Sequence, residues 1–338
     1  MSLLTGRPFY KPFTYERFYQ RWKQHEQSKW DPDEVSMASD CYDWEHKLSP
    51  AQKDFLTNIF RFFTQGDVEI AVAYYTQFIP MFYRLPEATM MMGSFAAREA
   101  THIVAYSTLI ESCNMPESTY SDFLQYTEMR NKHEYLERFS NSCHLVGKTR
   151  LTVQEKEHLA VSIALFSGGV EGIQLFSSFA MLSLFPLNKL MMGMGRIVNW
   201  SMADETQHVE GMIDVFKTFV AENDDLEMAK LEPQVQRVIA DVVDLEREFI
   251  KLIFARYDPS EFFGMTSERL ELFIEYIADH RLVSMGFNPI YKSSTSHPIP
   301  ELVVMINAPA LTNFFETTAT DYSLASATGS WLSVWGQQ

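Results

Sequence analysis

The sequence predicts an all-α protein, a helical bundle, and three observations carry that expectation. Glycine and proline number only 14 each among 338 residues, too few for the many turns of a strand-rich fold. Two capping boxes, Ser49-Pro50-Ala51-Gln52 and Thr152-Val153-Gln154-Glu155, mark helix starts. Apolar residues recur at helical spacing along most of the chain, with no convincing strand alternation between them.

Ser49 opens a helix that runs through Phe60 to Asp67, with Pro50 at its first position and Pro80 and Pro86 punctuating its end. A second helix is expected over residues 87–112, stopping before Asn114-Met115-Pro116. Thr152 starts a long apolar helix that ends near Pro186, and residues 187–220 continue as helix. Amphipathic helices follow over 227–256 and 266–282. No linker or repeat divides the chain, so residues 1–315 are expected to form one domain. Residues 316–338 change character: Ser, Thr, Ala and Gly surround the isolated aromatics Tyr322, Trp331 and Trp335, the composition of a flexible tail.

A formal charge of −16 excludes a nucleic-acid surface, which needs clustered Lys and Arg. Three widely spaced cysteines, Cys41, Cys113 and Cys143, offer neither a disulfide framework nor a CxxC site, which points to a reducing cytoplasm. The N-terminus lacks the apolar run of a signal peptide. The most apolar stretch, residues 159–185, carries Glu171 at its centre, so a buried bundle helix is expected there and not a membrane span.

Chemistry concentrates in acids that stand in apolar surroundings. Glu99-Ala-Thr-His102 and Glu205-Thr-Gln-His208 each place an acid and an imidazole three residues apart, on one helix face. Glu155-Lys-Glu-His158 repeats the spacing, but in a charged run at a helix start, where a solvated first turn is expected. Asp67 and Glu171 are lone acids in equally apolar helices, each one helix ahead of an ExxH; Glu69 is a rival to Asp67. A buried carboxylate costs several kcal/mol unless paired or metal-bound, and no basic residue neighbours Glu171. Two helices giving one carboxylate each and two giving ExxH form a recipe for a dinuclear site. Four carboxylates and two imidazoles suit iron or manganese. Tyr106 extends the stripe of Glu99 and His102 at i+7, toward that site, and Phe179 lies on the face of Glu171.

With these residues in order, the chain resembles the small, radical-generating subunit of class I ribonucleotide reductase. The resemblance covers nearly the whole length and rests on Asp67, Glu99, His102, Glu171, Glu205 and His208 within EATHIVAY, VEGIQLFSSFA and DETQH, with TNFFE near the end. It implies a ferritin-like helical bundle with a dinuclear metal site in the core, and a homodimer. It implies an oxidoreductase, ribonucleoside-diphosphate reductase, that supplies deoxyribonucleotides for DNA replication. Tyr106 takes the place of the radical tyrosine, Trp30 that of the first residue of the electron path, and Asp204 that of the acid between Trp30 and His102. Taken alone, Trp30 would be a core or surface Trp and Asp204 an exposed helix acid. Tyr322 matches the tail residue that relays the radical, with Trp331 and Trp335 as competitors.

The implied partners are a catalytic large subunit, docked through the tail, and an activating electron-transfer protein. Two transition-metal ions per chain are implied, di-iron or dimanganese; Tyr106 disfavours a mixed manganese–iron pair. Whether the oxidant rests on Tyr106 or on the metals stays open, as does di- or triphosphate as substrate. A stand-alone dimetal oxidase of the same fold is the alternative, with a ferritin-like iron store behind it.

Overall fold

The structure is a computed structural model that describes residues 2–140, 144–255, 257–293 and 296–302. The expected boundary at 315/316, the tail and Tyr322, Trp331 and Trp335 lie outside the described residues. The compact unit Met1–Ile299 holds all the candidate metal ligands and the residues around them.

Among the described residues, ten α-helices of more than one turn order this unit: α1 Glu16–Gln27, α2 Ala38–His46, α3 Pro50–Ala73, α4 Pro86–Ser112, α5 Thr127–Ser140, α6 Val153–Ala164, α7 Leu175–Leu187, α8 Met192–Ala221, α9 Met228–Phe254 and α10 Ser267–Met285. No strand occurs among the described residues. Both capping boxes form: Gln52 and Glu155 reach back to the backbone N–H of Ser49 and Thr152, while the Ser49 and Thr152 hydroxyls accept from theirs. Such a cap contributes about 1 kcal/mol.

Two departures from strict α geometry matter for the centre. Tyr74–Phe78 continues α3 as a π turn. Leu165–Gln174, between α6 and α7, is a π-helical stretch that carries Glu171. Its glycines permit close packing of α9 and α10. A Cβ on Gly169 would stand 3.1 Å from Val242, and one on Gly168 would stand 2.9 Å from Met285. The Arg281 guanidinium of α10 donates to the Gly172 carbonyl at 3.3 Å. An 18-residue window within Val153–Leu187 is apolar enough to cross a membrane, but it is wholly buried in the fold. Its hydropathy serves the core.

The helix expected over 187–220 does not run from α7 without a break. Lys189 and Met191 have left-handed backbone conformations, and α8 begins only at Met192. Asp40 and Asp43 of α2 supply the missing cap: Asp43 accepts from the Met191 N–H at 2.9 Å, Asp40 from those of Gly193 and Met194 at 2.8 and 2.7 Å. A cap delivered from another helix leaves no local sequence signal. Helices α1, α2 and α5 were also not expected from periodicity.

Helix α1 is fastened to both ExxH helices. The N-terminal arm contributes Arg7, which is buried against Glu87 of α4 at 2.5 Å, while Arg17 of α1 meets Asp214 of α8 at 2.6 Å. In the last turn of α1, His25 lies between α4 and α8, within reach of Ser94 and His208.

Candidate metal centre

Asp67 comes from α3, Glu99 and His102 from α4, Glu171 from the π stretch, Glu205 and His208 from α8. All six are at most 1 % exposed. They form two groups whose ligand atoms lie within 4.8 Å of one another: Asp67, Glu99, His102 and Glu205; and Glu99, Glu171, Glu205 and His208. Glu99 and Glu205 belong to both, so two ions held in these groups would share these two carboxylates.

The imidazoles point Nδ1 inward. His102 Nδ1 stands 3.3 Å from Glu99 and 3.2 Å from Glu205. His208 Nδ1 stands 3.0 Å from Glu99, 3.2 Å from Glu205 and 3.6 Å from Glu171. Both oxygens of Asp67, Glu99 and Glu205, and Oε2 of Glu171, meet no partner in hydrogen-bond geometry. Buried polar atoms left so are rare and costly. Four buried carboxylates carry four negative charges, which two divalent ions bound by neutral imidazoles would cancel. The donor set, oxygen-rich with one nitrogen per ion, fits iron or manganese.

The protonation states support the same reading. Burial, with Glu99 and Glu205 adding to it, pushes Asp67 well above the usual carboxylate range. Burial and then Glu205 push Glu171 up to about 8. Burial alone would lower both imidazoles, yet the surrounding carboxylates raise them well above the ordinary histidine value. Protons thus take the cation's place in the metal-free chain, and metal binding must expel them.

One consequence is measurable. Between about 4.5 and about 8 the folded metal-free chain keeps a proton on Glu171 that the unfolded chain has released, so this group's contribution to stability falls as pH rises. Metal-free Glu171→Gln is therefore expected to match the wild-type Tm at pH 5 and to exceed it at pH 8. A Tm difference that stays constant across this range would contradict the assignment.

A second layer surrounds the six. Asp204, expected from its helix alone to be exposed, is 1 % exposed. It accepts from Trp30 Nε1 at 2.7 Å and Arg98 Nη1 at 3.0 Å, and lies 3.3 Å from His102 Nε2. Burial would raise Asp204, but His102 and Arg98 hold it below its usual range. The half-buried Trp30 ring also stacks on His102, with centroids 5.9 Å apart and planes at 21°, and touches Trp200 at 5.2 Å. Arg98, a candidate partner for Glu99 by adjacency, pairs instead with Asp204.

Tyr106 is fully buried, and its hydroxyl donates to Ser201 Oγ at 3.3 Å. Burial raises its pKa and keeps the phenol neutral. Glu69, the rival acid, turns away from the cluster to His133 at 3.3 Å and Gln65 at 2.7 Å. His158 is exposed, and Glu155 caps α6. Phe179 is buried and packs on Phe176.

Sequence reasoning missed three residues. Tyr74, at 0 % exposure, donates to Glu171 Oε1 at 2.7 Å. It lies seven residues after Asp67, the spacing that singled out Tyr106 after Glu99, so a signal existed. Ser201, seven residues before His208, shared that signal. His25 had none: it approaches His208 from a separate helix.

Four helical segments that converge buried acids and two inward-facing imidazoles define a ferritin-like bundle of the dimetal-carboxylate class. A family model described as "Ribonucleotide reductase, small chain" matches residues 7–298. The chain belongs to that family. It is 52 % identical, over 100 % of its own length and 99 % of the relative's, to a "Probable ribonucleoside-diphosphate reductase small subunit" of Invertebrate iridescent virus 6. Solved structures share the fold. The R2 subunit from Clostridium botulinum superposes with a TM-score of 0.75 at 16 % identity, covering 87 % of this chain and 89 % of that one. The dimanganese NrdF of Streptococcus sanguinis gives 0.66 at 17 % identity, covering 88 % and 100 %. An R2-like ligand-binding oxidase from Sulfolobus acidocaldarius gives 0.63 at 19 %, covering 85 % and 94 %.

Proposed function

We propose that this chain generates and stores the oxidising equivalent of a class I ribonucleoside-diphosphate reductase and passes it to a separate catalytic large subunit. One observation carries the reading: Asp204 links the Trp30 indole to His102, joining the buried cluster to a ring that is partly exposed to solvent. A solitary oxidase needs no such exit. The fold is shared with an oxidase, but the closely related sequences are reductase subunits.

Asp67, Glu99, His102, Glu171, Glu205 and His208 would hold two iron or two manganese ions. When bound, such a pair supplies a strong oxidant by reaction with an oxygen species. Tyr106 would yield an electron to that oxidant, and its phenolic proton would leave by the 3.3 Å hydrogen bond to Ser201, whose hydroxyl can relay a proton but not hold it. Trp30 would yield the next electron to the oxidised Tyr106, with Asp204 accepting its indole N–H. Arg98, which shares Asp204, keeps that carboxylate ionised and so able to accept.

In this proposal the active form is a homodimer in the cytoplasm, residues 316–338 dock the large subunit, Tyr322 relays the radical, and an electron-transfer protein activates the centre. The test is a reductase assay with the isolated large subunit on a ribonucleoside diphosphate. Full-length chain is expected to support turnover. A chain truncated after Phe315 is expected to bind two ions as the full chain does and to support none. Full turnover by the truncated chain would overturn the docking role, and no turnover by the full chain the proposal itself.

A further inference from the structure

The two inward-facing imidazoles are held from behind in different ways. His102 Nε2 meets a carboxylate directly, Asp204. His208 Nε2 instead faces a second imidazole, Nε2 of His25, at 3.2 Å. His25 is 0 % exposed and lies in the last turn of α1. Its Nδ1 stands 2.7 Å from Ser94 Oγ, and Ser94 Oγ donates to Glu26 Oε1 at 2.6 Å. Glu26 is one-third exposed and is the outer end of the line.

We infer that His25 is a positioning residue for the metal centre, presenting His208 to the ion in the required tautomer through the line His208–His25–Ser94–Glu26. This rests on the metal reading above. Two ring nitrogens 3.2 Å apart hold one proton between them. An ionised Glu26 can only accept, so Ser94 must give its hydroxyl proton outward and accept from His25 Nδ1. His25 Nε2 is then bare, and the proton between the rings belongs to His208 Nε2. In the neutral imidazole that binds metal, that leaves the lone pair of His208 Nδ1 facing Glu99, Glu205 and Glu171, where an ion would sit. The surface carboxylate thus sets the polarity of the whole line.

Other groups near His25 agree with this order. Asp204 Oδ1 is 3.8 Å from His25 Nε2, beyond hydrogen-bond reach, so it does not compete for that nitrogen. Phe95 lies edge-on to His25 at 5.0 Å and against His208 at 4.6 Å, which restricts rotation of both rings. The Ser94 hydrogen bond also draws Glu26 below its usual range, so it stays an acceptor. Partners behind a metal-binding imidazole fix its tautomer and orientation, and losing one typically costs about 10–100-fold in metal affinity.

The test is a competitive Mn(II) titration of the full-length protein, with the apo Tm measured beside it. His25→Phe fills the space but ends the line, and is expected to weaken the tighter or weaker of the two sites by about 10–100-fold while the other is unchanged. His25→Gln can accept from His208 and donate to Ser94, and is expected to recover most of that loss. Ser94→Ala, a smaller change that serves if His25→Phe does not fold, is expected to fall between them. Wild-type affinity in both His25→Phe and Ser94→Ala would overturn the inference. So would a His25→Gln as impaired as His25→Phe at equal apo Tm, since packing alone would then explain the loss. His208→Ala separates the two layers: if it too binds both ions normally, the metal reading fails; if it loses one ion while His25→Phe loses none, only the role of His25 fails.

Discussion

Glu205→Ala is expected to leave a folded protein with almost no bound transition metal, whereas His208→Ala and His102→Ala should each retain about one ion per chain. The difference follows from sharing. Glu205 and Glu99 stand in both four-residue groups, while each imidazole stands in one. Removing a shared carboxylate withdraws an oxygen from both ions and leaves the remaining acids with less charge to balance. The fold should persist, because the metal-free chain no longer buries that carboxylate among others. His158→Ala, at the solvated third ExxH, should leave metal content at the wild-type level. Metal analysis after exhaustive loading, with circular dichroism as the control for folding, reads all four variants. Two ions retained in Glu205→Ala would refute the bridging arrangement.

Trp30→Phe and Tyr106→Phe are expected to lower ribonucleotide reduction severely while keeping metal content, and to fail at different stages. Tyr106→Phe removes the phenol beside Ser201 and should eliminate any tyrosyl EPR signal. Trp30→Phe keeps an aromatic ring over His102 but loses the N–H donated to Asp204. It should therefore form the oxidised centre and hold it, with turnover lowered by roughly a hundredfold or more, about 2.7 kcal/mol on the barrier. An unchanged tyrosyl signal in Tyr106→Phe would place the radical on another residue, and Tyr74 is the nearest in kind. Activity in Tyr106→Phe with no organic radical would place the oxidant on the metals. Normal turnover in Trp30→Phe would remove the indole from the path.

The hydrophobic surroundings of Asp67, Glu99, Glu171 and Glu205 made the cluster legible without coordinates. An acid that cannot be solvated must be compensated, and the one-dimensional pattern already shows which acids those are. Helical spacing did the same for His102, His208 and Tyr106, because three and seven residues bring side chains to one face of any α-helix. The capping boxes at Ser49 and Thr152 were equally local and equally readable.

What surrounds the cluster was not readable in this way. The choice between Asp67 and Glu69 depends on which face of α3 turns toward α4, and Glu69 finds His133 on α5 instead. Asp204 and Trp30 owed their assignment to family resemblance, since nothing near Asp204 in sequence reveals that an indole, a guanidinium and an imidazole converge on it. The break before α8 depends on Asp40 and Asp43 arriving from α2. Tyr74, His25 and Ser94 bear on Glu171 and His208 only because separate helices pack against one another. An all-α bundle and six residues able to hold two ions could be read along the chain, because burial of charge and helical period are local properties. Which carboxylates fall in both groups and what stands behind each imidazole emerge only on folding, because hydrogen bonds between distant helices follow from packing and have no sequence period.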